Sequence, residues 1–203
     1  MLAICAEFAR VNLMEFSPSK SVVLLILPRR CHISRPPNIY LNGSLLSYVD
    51  QFKYLGHFIT ADFADDLDID RERRSLAARG NILLRKFGQC SYEVKCMLFK
   101  TYCYQLYSCS LWARYKKSSI NRLRVCFNTI LRRLLGLPQW CSASNMFAEM
   151  RMRSLQEVRR QLSYSLMMRV NSSENLILCN IVNSDAAVFS SIREHWNNLL
   201  VIR

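Results

Sequence analysis

The spacing of hydrophobic residues changes character near residue 67. Before it, short apolar runs are broken by turn residues. Leu2, Cys5, Phe8 and Ala9 share one side of an amphipathic helix expected over residues 2–15, which Ser17-Pro18-Ser19-Lys20 breaks. Val22 to Leu27 is a run of β-branched residues and leucines and reads as a buried strand. Pro28, Pro36 and Pro37 mark a loop. Ile39-Tyr40-Leu41 and Leu45-Leu46 flank Asn42-Gly43, a strong hairpin signal because both turn positions take positive φ. Tyr48 to Thr60 continues the β region, and Phe52 to Thr60 alternates around Gly56 as a tight strand pair.

From Leu67 to Phe87 the apolar positions fall at helical intervals: Ile69, Leu76, Gly80, Leu83 and Phe87 on one face, Arg71, Arg74 and Arg85 on the other. Gly88 closes this helix and Ser91 caps a second, with Val94, Leu98, Thr101, Tyr102 and Gln105 in line. Ser119 opens a third, with Ile120, Leu123, Phe127, Ile130 or Leu131, and Leu134 inward, and Gly136 and Pro138 stop it. Ser154-Leu-Gln-Glu157 is a capping box for a fourth, with Val158, Leu162 and Leu166 inward. After Asn171 the periodicity weakens, and a last amphipathic piece covers Val188 to Leu200. The pattern predicts an α+β chain, mainly α: a small antiparallel β region near the amino terminus, then a helical bundle.

Charge sharpens this division. Of 28 lysines and arginines, 20 lie in residues 71–170, against 4 acids there; residues 1–70 hold 6 against 8, and residues 171–203 hold 2 against 3. Like charges repel and destabilise a compact state, so a basic excess confined to one segment points to a polyanionic partner. The bland alternative is a solvated helical surface made basic for solubility. Nine cysteines, an odd number without C-x-x-C pairs, read as reduced core residues, and Cys96 and Cys103 share a helix face. Cys141, Cys179 and His195 are too scattered to form a zinc site, so no metal site is expected. Val22 to Leu27 is too short to span a membrane, and the amino terminus, with Glu7 and no basic region, is not a signal peptide. An intracellular protein without membrane contact is expected.

Several motifs, in order, resemble non-LTR retrotransposon reverse transcriptases. Cys5-x-x-Phe8-Ala9 and Phe16-Ser-Pro-Ser-Lys20-Ser21 resemble the helix and F-N-x-x-K-[ST] segment that follow the catalytic hairpin, with Ser17 in place of Asn. Phe52-Lys53-Tyr54-Leu55-Gly56 is similar to the K-Y-L-G element of the primer-grip hairpin, and Asp68-Ile69 with the helix beyond to the first thumb helix. Lys95 and the run to Leu106-Tyr107-x-x-x-x-Trp112 resemble K-x-x-L-Y … L-L-Y-G-x-E-x-W, with Ser108 and Ser110 replacing Gly and Glu. Leu131-Arg132-Arg133-Leu134-Leu135-Gly136 resembles the L-R-x-I-L-G run that follows.

The resemblance implies a palm remnant with a primer-grip-like hairpin over 1–60, thumb-like helices over 61–118 and a post-thumb helical region over 119–203. It also implies sequence-independent binding of an RNA/DNA template–primer. The residues expected to meet nucleic acid are Lys20, Tyr54, Gly56, Arg71, Arg74, Arg79, Arg85 and Lys86; Lys95 and Lys100 are weaker candidates. Tyr102, Tyr104, Tyr107, Trp112 and Tyr115 at helical spacing read as core before base-stacking surface.

Phe63-Ala64-Asp65-Asp66 spells the family's catalytic tetrapeptide, yet it follows the K-Y-L-G element instead of preceding it. It leads into a charged helix start, and apart from the adjacent Asp62 the only upstream acids are Glu7, Glu15 and Asp50. Two-metal chemistry needs a further carboxylate to share the ions. Asp65 and Asp66 are therefore expected to serve the positive end of a helix, with no catalytic residue and no cofactor in this segment; Mg2+ belongs to an intact polymerase. The catalytic half of the palm has no counterpart in the stretch before residue 52, so no polymerisation by the chain alone is expected. The competing expectation is a helical structural or interaction fragment of a decayed element, without a nucleic-acid role, self-associating through exposed helix faces.

Overall fold

Strand and helix periods sort into different parts of the molecule. The computed structural model describes residues 2–27, 31, 33–184 and 187–200, and the chain divides into two units, Met1–Ala64 and Asp65–Arg203. Most of the chain is helical, and the short strands all lie before residue 61, so the fold is mainly α within the α+β class.

In the first unit, α1 (Leu2–Val11) ends earlier than its apolar pattern, because Leu13 turns left-handed (φ 52°). The Met14 amide then reaches back to the Ala9 carbonyl at 2.8 Å. Of the expected inward side only Ala9 is buried; Leu2 and Phe8 are exposed. The Val22 to Leu27 run forms only β1 (Val22–Leu24), and Val22 and Ile26 are exposed, so it is not the buried strand its composition predicts. Residue 28 of the expected loop lies outside the described residues.

β2 (Tyr40–Leu41) and β3 (Ser44–Leu45) make the expected antiparallel hairpin around Asn42 and Gly43, both at positive φ. The Tyr48–Thr60 stretch divides at Asp50. β4 (Ser47–Val49) pairs in parallel with β1, whereas β5 (Gln51–Tyr54) and β6 (His57–Thr60) pair antiparallel. Leu55 (φ 46°) and Gly56 (φ 86°) form the two-residue turn of that last pair, a geometry a glycine adopts without steric cost.

In the second unit, α2 (Asp66–Phe87) packs along α4 (Lys117–Leu135), and α3 (Tyr92–Cys103) lies against both. Ile69, Leu76 and Leu83 of α2 meet Leu123, Phe127, Leu131 and Leu134 of α4 in one core that includes Trp112 and Val158, so residues on both sides of position 118 share it. Phe99 and Phe127 meet edge to face with centroids 4.9 Å apart. The inward face of α3 is Phe99 and Cys103, one step round from the expected line; Val94 and Tyr102 are exposed, and the helix ends before Gln105. Burying the large Phe99 ring against Phe127 decides that rotation. The nine cysteines are free, and burial pushes the Cys103 thiol up to about 12.

Ser119 does not open α4. The helix starts two residues earlier, with Lys116 at the cap position, and Ser119 is buried inside it. Its end matches expectation: the Leu137 amide bonds the Arg132 carbonyl at 2.9 Å across a left-handed Gly136. Two short helices lacked a clear period, α5 (Ala143–Glu149) and α7 (Leu176–Asn183). The capping box of α6 (Leu155–Asn171) is complete, with the Ser154 amide donating to Glu157 at 2.6 Å. α8 (Ala187–Leu200) docks through Trp196 Nε1, 2.7 Å from the Ser110 carbonyl, and through Arg160 Nε, 3.0 Å from the Leu199 carbonyl.

The α2–α4 crossing depends on Gly80. A Cβ there would stand 2.6 Å from Ile130 Cγ2 and 2.8 Å from Cγ1, atoms of a β-branched side chain that is stiff at χ1. In an exposed helix Gly→Ala stabilises by about 1 kcal/mol. Here Gly80→Ala is expected to destabilise by roughly 1–2 kcal/mol through overpacking, with Ile130→Ala restoring much of that loss in the double variant. Urea unfolding midpoints measure it. A stabilised single variant would contradict this crossing.

Candidate nucleic-acid interface

The basic helix α2 carries two populations of cation. Asp68 and Glu72 sit on its core side, 0% and 1% exposed, in line with Leu76 and Leu83. Buried carboxylates need partners. Arg71 Nε lies 2.7 Å from Asp68 Oδ1 and its Nη1 3.2 Å from Glu72 Oε2. Arg79 bonds the other Glu72 oxygen and donates to the Gln105 carbonyl at 2.8 Å. Asp68 Oδ2 also accepts from Trp112 Nε1 at 2.8 Å and from the Ser108 hydroxyl at 2.7 Å. Burial pushes the Glu72 carboxyl above its ordinary value, against the pull of Arg79 and Arg71. Two arginines expected at a phosphate backbone are thus committed inward, with side chains only 17% and 25% exposed.

Asp65 and Asp66 are engaged in the same joint. Asp65 Oδ2 accepts from the amides of Ala113 and Arg114, both at 2.8 Å, and Asp66 Oδ1 from the amide of Lys116 at 3.0 Å. Asp65 therefore makes no side-chain cap bond to its own helix, although it occupies the cap position. The acids at the start of α2 latch a loop about fifty residues downstream. Ser108 stands where the resembled family has glycine and is left-handed (φ 61°). Its hydroxyl bond to Asp68 compensates part of the cost of that conformation.

The remaining cations face outward. Arg74 pairs with Asp70 at 3.3 Å but is largely exposed, and Arg85 and Lys86 are exposed near the end of α2. Between α2 and α4 runs a groove of about 610 Å³, lined by Arg73, Asn81, Arg122, Thr129 and Arg133 together with Ala77 and Val125. Among the described residues no acid lines it, although Asp70 pairs with Arg73 at 2.9 Å. Arg122 and Arg133 were not among the expected contacts. Their signal was present: Arg122, Thr129 and Arg133 recur at spacings of seven and four on the face opposite Leu123, Phe127, Leu131 and Leu134.

In the first unit, Lys20 ends an exposed 3-10 turn, Tyr54 is 55% exposed on β5, and Gly56 forms the hairpin turn. Lys95 is half-buried above the Tyr92 ring at 5.8 Å, and Lys100 is exposed. The aromatic series divides. Trp112 is fully buried and Tyr104 bonds the Arg153 backbone, whereas Tyr102 and Tyr107 are about half exposed. Among the described residues no cluster of His, Cys, Asp or Glu forms a metal-binding group, and no helix is long and apolar enough to cross a membrane. No family model, curated protein or solved structure matches the chain.

Replacing Glu72 by Met is expected to cost about 3 kcal/mol, because it leaves Arg79 without its carboxylate at the edge of the core and takes from Arg71 one of its two. Adding Arg79→Met should recover a large part of that. Equal unfolding midpoints for the single and double variants would show that the Glu72–Arg79 pair does not couple.

Proposed function

We propose that the chain is a fragment of a mobile-element RNA-directed DNA polymerase that binds nucleic-acid duplex without sequence preference and does not polymerise alone. The observation carrying this reading is the groove between α2 and α4, where Arg73, Arg122 and Arg133 gather with no acid among the described lining residues. Arg74, Arg85 and Lys86 extend the same charge along α2. Contacts from such side chains to phosphates fix position and carry no base information. The ordered motifs from Cys5 to Gly136 support the family origin. An RNA/DNA template–primer in an intracellular compartment is the partner this reading implies.

A second reading, an interaction fragment without a nucleic-acid role, draws on one specific observation. In the first unit only Ala9, Leu41 and Leu46 are buried hydrophobics among the described residues, while Ile4, Leu13 and Leu55 are more than 70% exposed. Apolar surface of that kind favours self-association.

Titration of an RNA–DNA hybrid at several salt concentrations separates the two, on protein first shown to be monodisperse by light scattering. With about four phosphates neutralised, log affinity should fall with log salt at a slope of about −3 to −4. Charge reversal at Arg85, Arg122 and Arg133 together should weaken binding evenly across sequences and flatten the slope, while Arg79→Met paired with Glu72→Met leaves it unchanged. Affinity that ignores salt, or survives the triple reversal, would exclude the groove.

A further inference from the structure

A second cleft, about 530 Å³, opens between the amino end of α4, the start of α6 and the end of α8, adjoining the α2–α4 groove at Asn121, which lines both. Its polar lining includes Lys117, Arg124 and Arg159, with no acid among the described lining residues. Arg159 is the unusual member. It is 5% exposed, its Nε meets no acceptor, and among the described residues no carboxylate pairs with it. Its one hydrogen bond goes from Nη2 to the Tyr115 hydroxyl at 2.9 Å, and the guanidinium lies 5.3 Å from the Tyr115 ring centroid and 5.9 Å from that of Trp112. Ring faces attract a cation by about 1–2 kcal/mol, less than an unpaired buried charge loses in desolvation. Burial, together with the positive charge of Arg159, lowers the pKa of nearby His195 and so favours the neutral imidazole beside the guanidinium.

The helix end tells the same story independently. α4 begins with Lys116 at the cap position, a side chain that offers no acceptor, followed by Lys117, with no acid in the first turn. Helix amino termini carry unsatisfied amides and partial positive charge, so lysines there oppose the dipole. A helix amino end that has no side-chain cap of its own and whose Lys116 amide is taken up by Asp66, two outer cations and a buried guanidinium with an orphaned N–H converge on one cleft.

We propose that this cleft binds the phosphate of a phosphate monoester. Arg159 and Arg124 would donate to its oxygens, and the amino end of α4 and Lys117 would add charge. The cleft is larger than a phosphate ion, and Ile120, Leu155 and Leu199 give it an apolar wall for the body that carries the group. A dianionic terminal phosphate suits this concentration of positive charge better than the single charge of a backbone diester. Such a group is carried by a soluble metabolite or by the 5′ end of a nucleic acid.

The test uses the full chain with inorganic phosphate as probe, by calorimetric titration and by thermal unfolding against sodium chloride of matched ionic strength. Saturable phosphate binding that raises the unfolding temperature is expected. Arg159→Met should weaken it about tenfold or more, the loss of one charge-assisted contact, and keeps the packing volume. Should Arg159→Met fail to fold, Arg124→Glu with Lys117→Glu at the exposed rim provides the same loss. Duplex affinity through Arg122 and Arg133 should persist in both variants, which separates failure here from failure of the groove. Preference for a 5′-phosphorylated over a 5′-hydroxyl duplex, lost in Arg159→Met, would identify a nucleic-acid end as the source. Equal affinity alongside phosphate binding would identify a soluble monoester. No saturable binding, or binding unchanged in the Arg159 and rim variants, overturns the proposal.

Discussion

The helical unit depends on one buried carboxylate. Asp68 is fully removed from solvent and accepts from Arg71, Ser108 and Trp112, donors drawn from its own helix and from chain some forty residues away. Taking a carboxylate out of water costs several kcal/mol unless its oxygens are satisfied. The 3-10 turn at Cys109–Leu111 and the loop after it therefore have a place set by hydrogen bonds as well as by apolar contact. Asp65 and Asp66 extend that constraint to Ala113, Arg114 and Lys116, which positions the start of α4. Trp112, held by its indole nitrogen, presents its ring to Arg159 and links the joint to α6. Both candidate anion sites share α4, a helix aligned at one end by this joint and along its length by the close approach at Gly80.

The joint also divides the basic charge by role. Arg71 and Arg79 neutralise acids that would otherwise be unpaired in the interior, and Arg132 donates to the Cys141 carbonyl. Arg85, Arg122 and Arg133 are exposed, and among the described residues no carboxylate forms an ion pair with them. Removing an inward arginine chiefly affects folding; removing an outward one leaves the fold and changes the field around it. An excess of positive charge in a sequence is therefore only an upper bound on the charge offered to a partner.

Local signals were legible in the sequence. The Asn42-Gly43 turn, the Ser154–Glu157 capping box, the Gly136 stop and the change of period at residue 67 each depend on residues within a few positions of one another. Long-range commitments were not. Helical spacing puts Arg71 opposite Ile69, yet a long flexible side chain folds back to Asp68 and Glu72. The legible warning was the acids: Asp68 and Glu72 fall on the same stripe as Leu76 and Leu83, where a carboxylate requires a cation. The α3 rotation and the early end of α1 follow from tertiary packing of Phe99 and from a left-handed Leu13, neither marked by composition. The outward groove was half visible, since one wall lay in the basic helix that drew attention and the other in Arg122 and Arg133 of α4.

Native-state hydrogen exchange at the Trp112 indole N–H tests the organising role of Asp68 most directly, because that proton lies in the bond to the buried carboxylate. The account predicts that it exchanges only through global unfolding, with the same free energy as the core amides of Leu76 and Leu131 and the same dependence on denaturant. Exchange through a local opening, several kcal/mol easier and insensitive to denaturant, would show that the Asp68 joint is peripheral to the unit's stability.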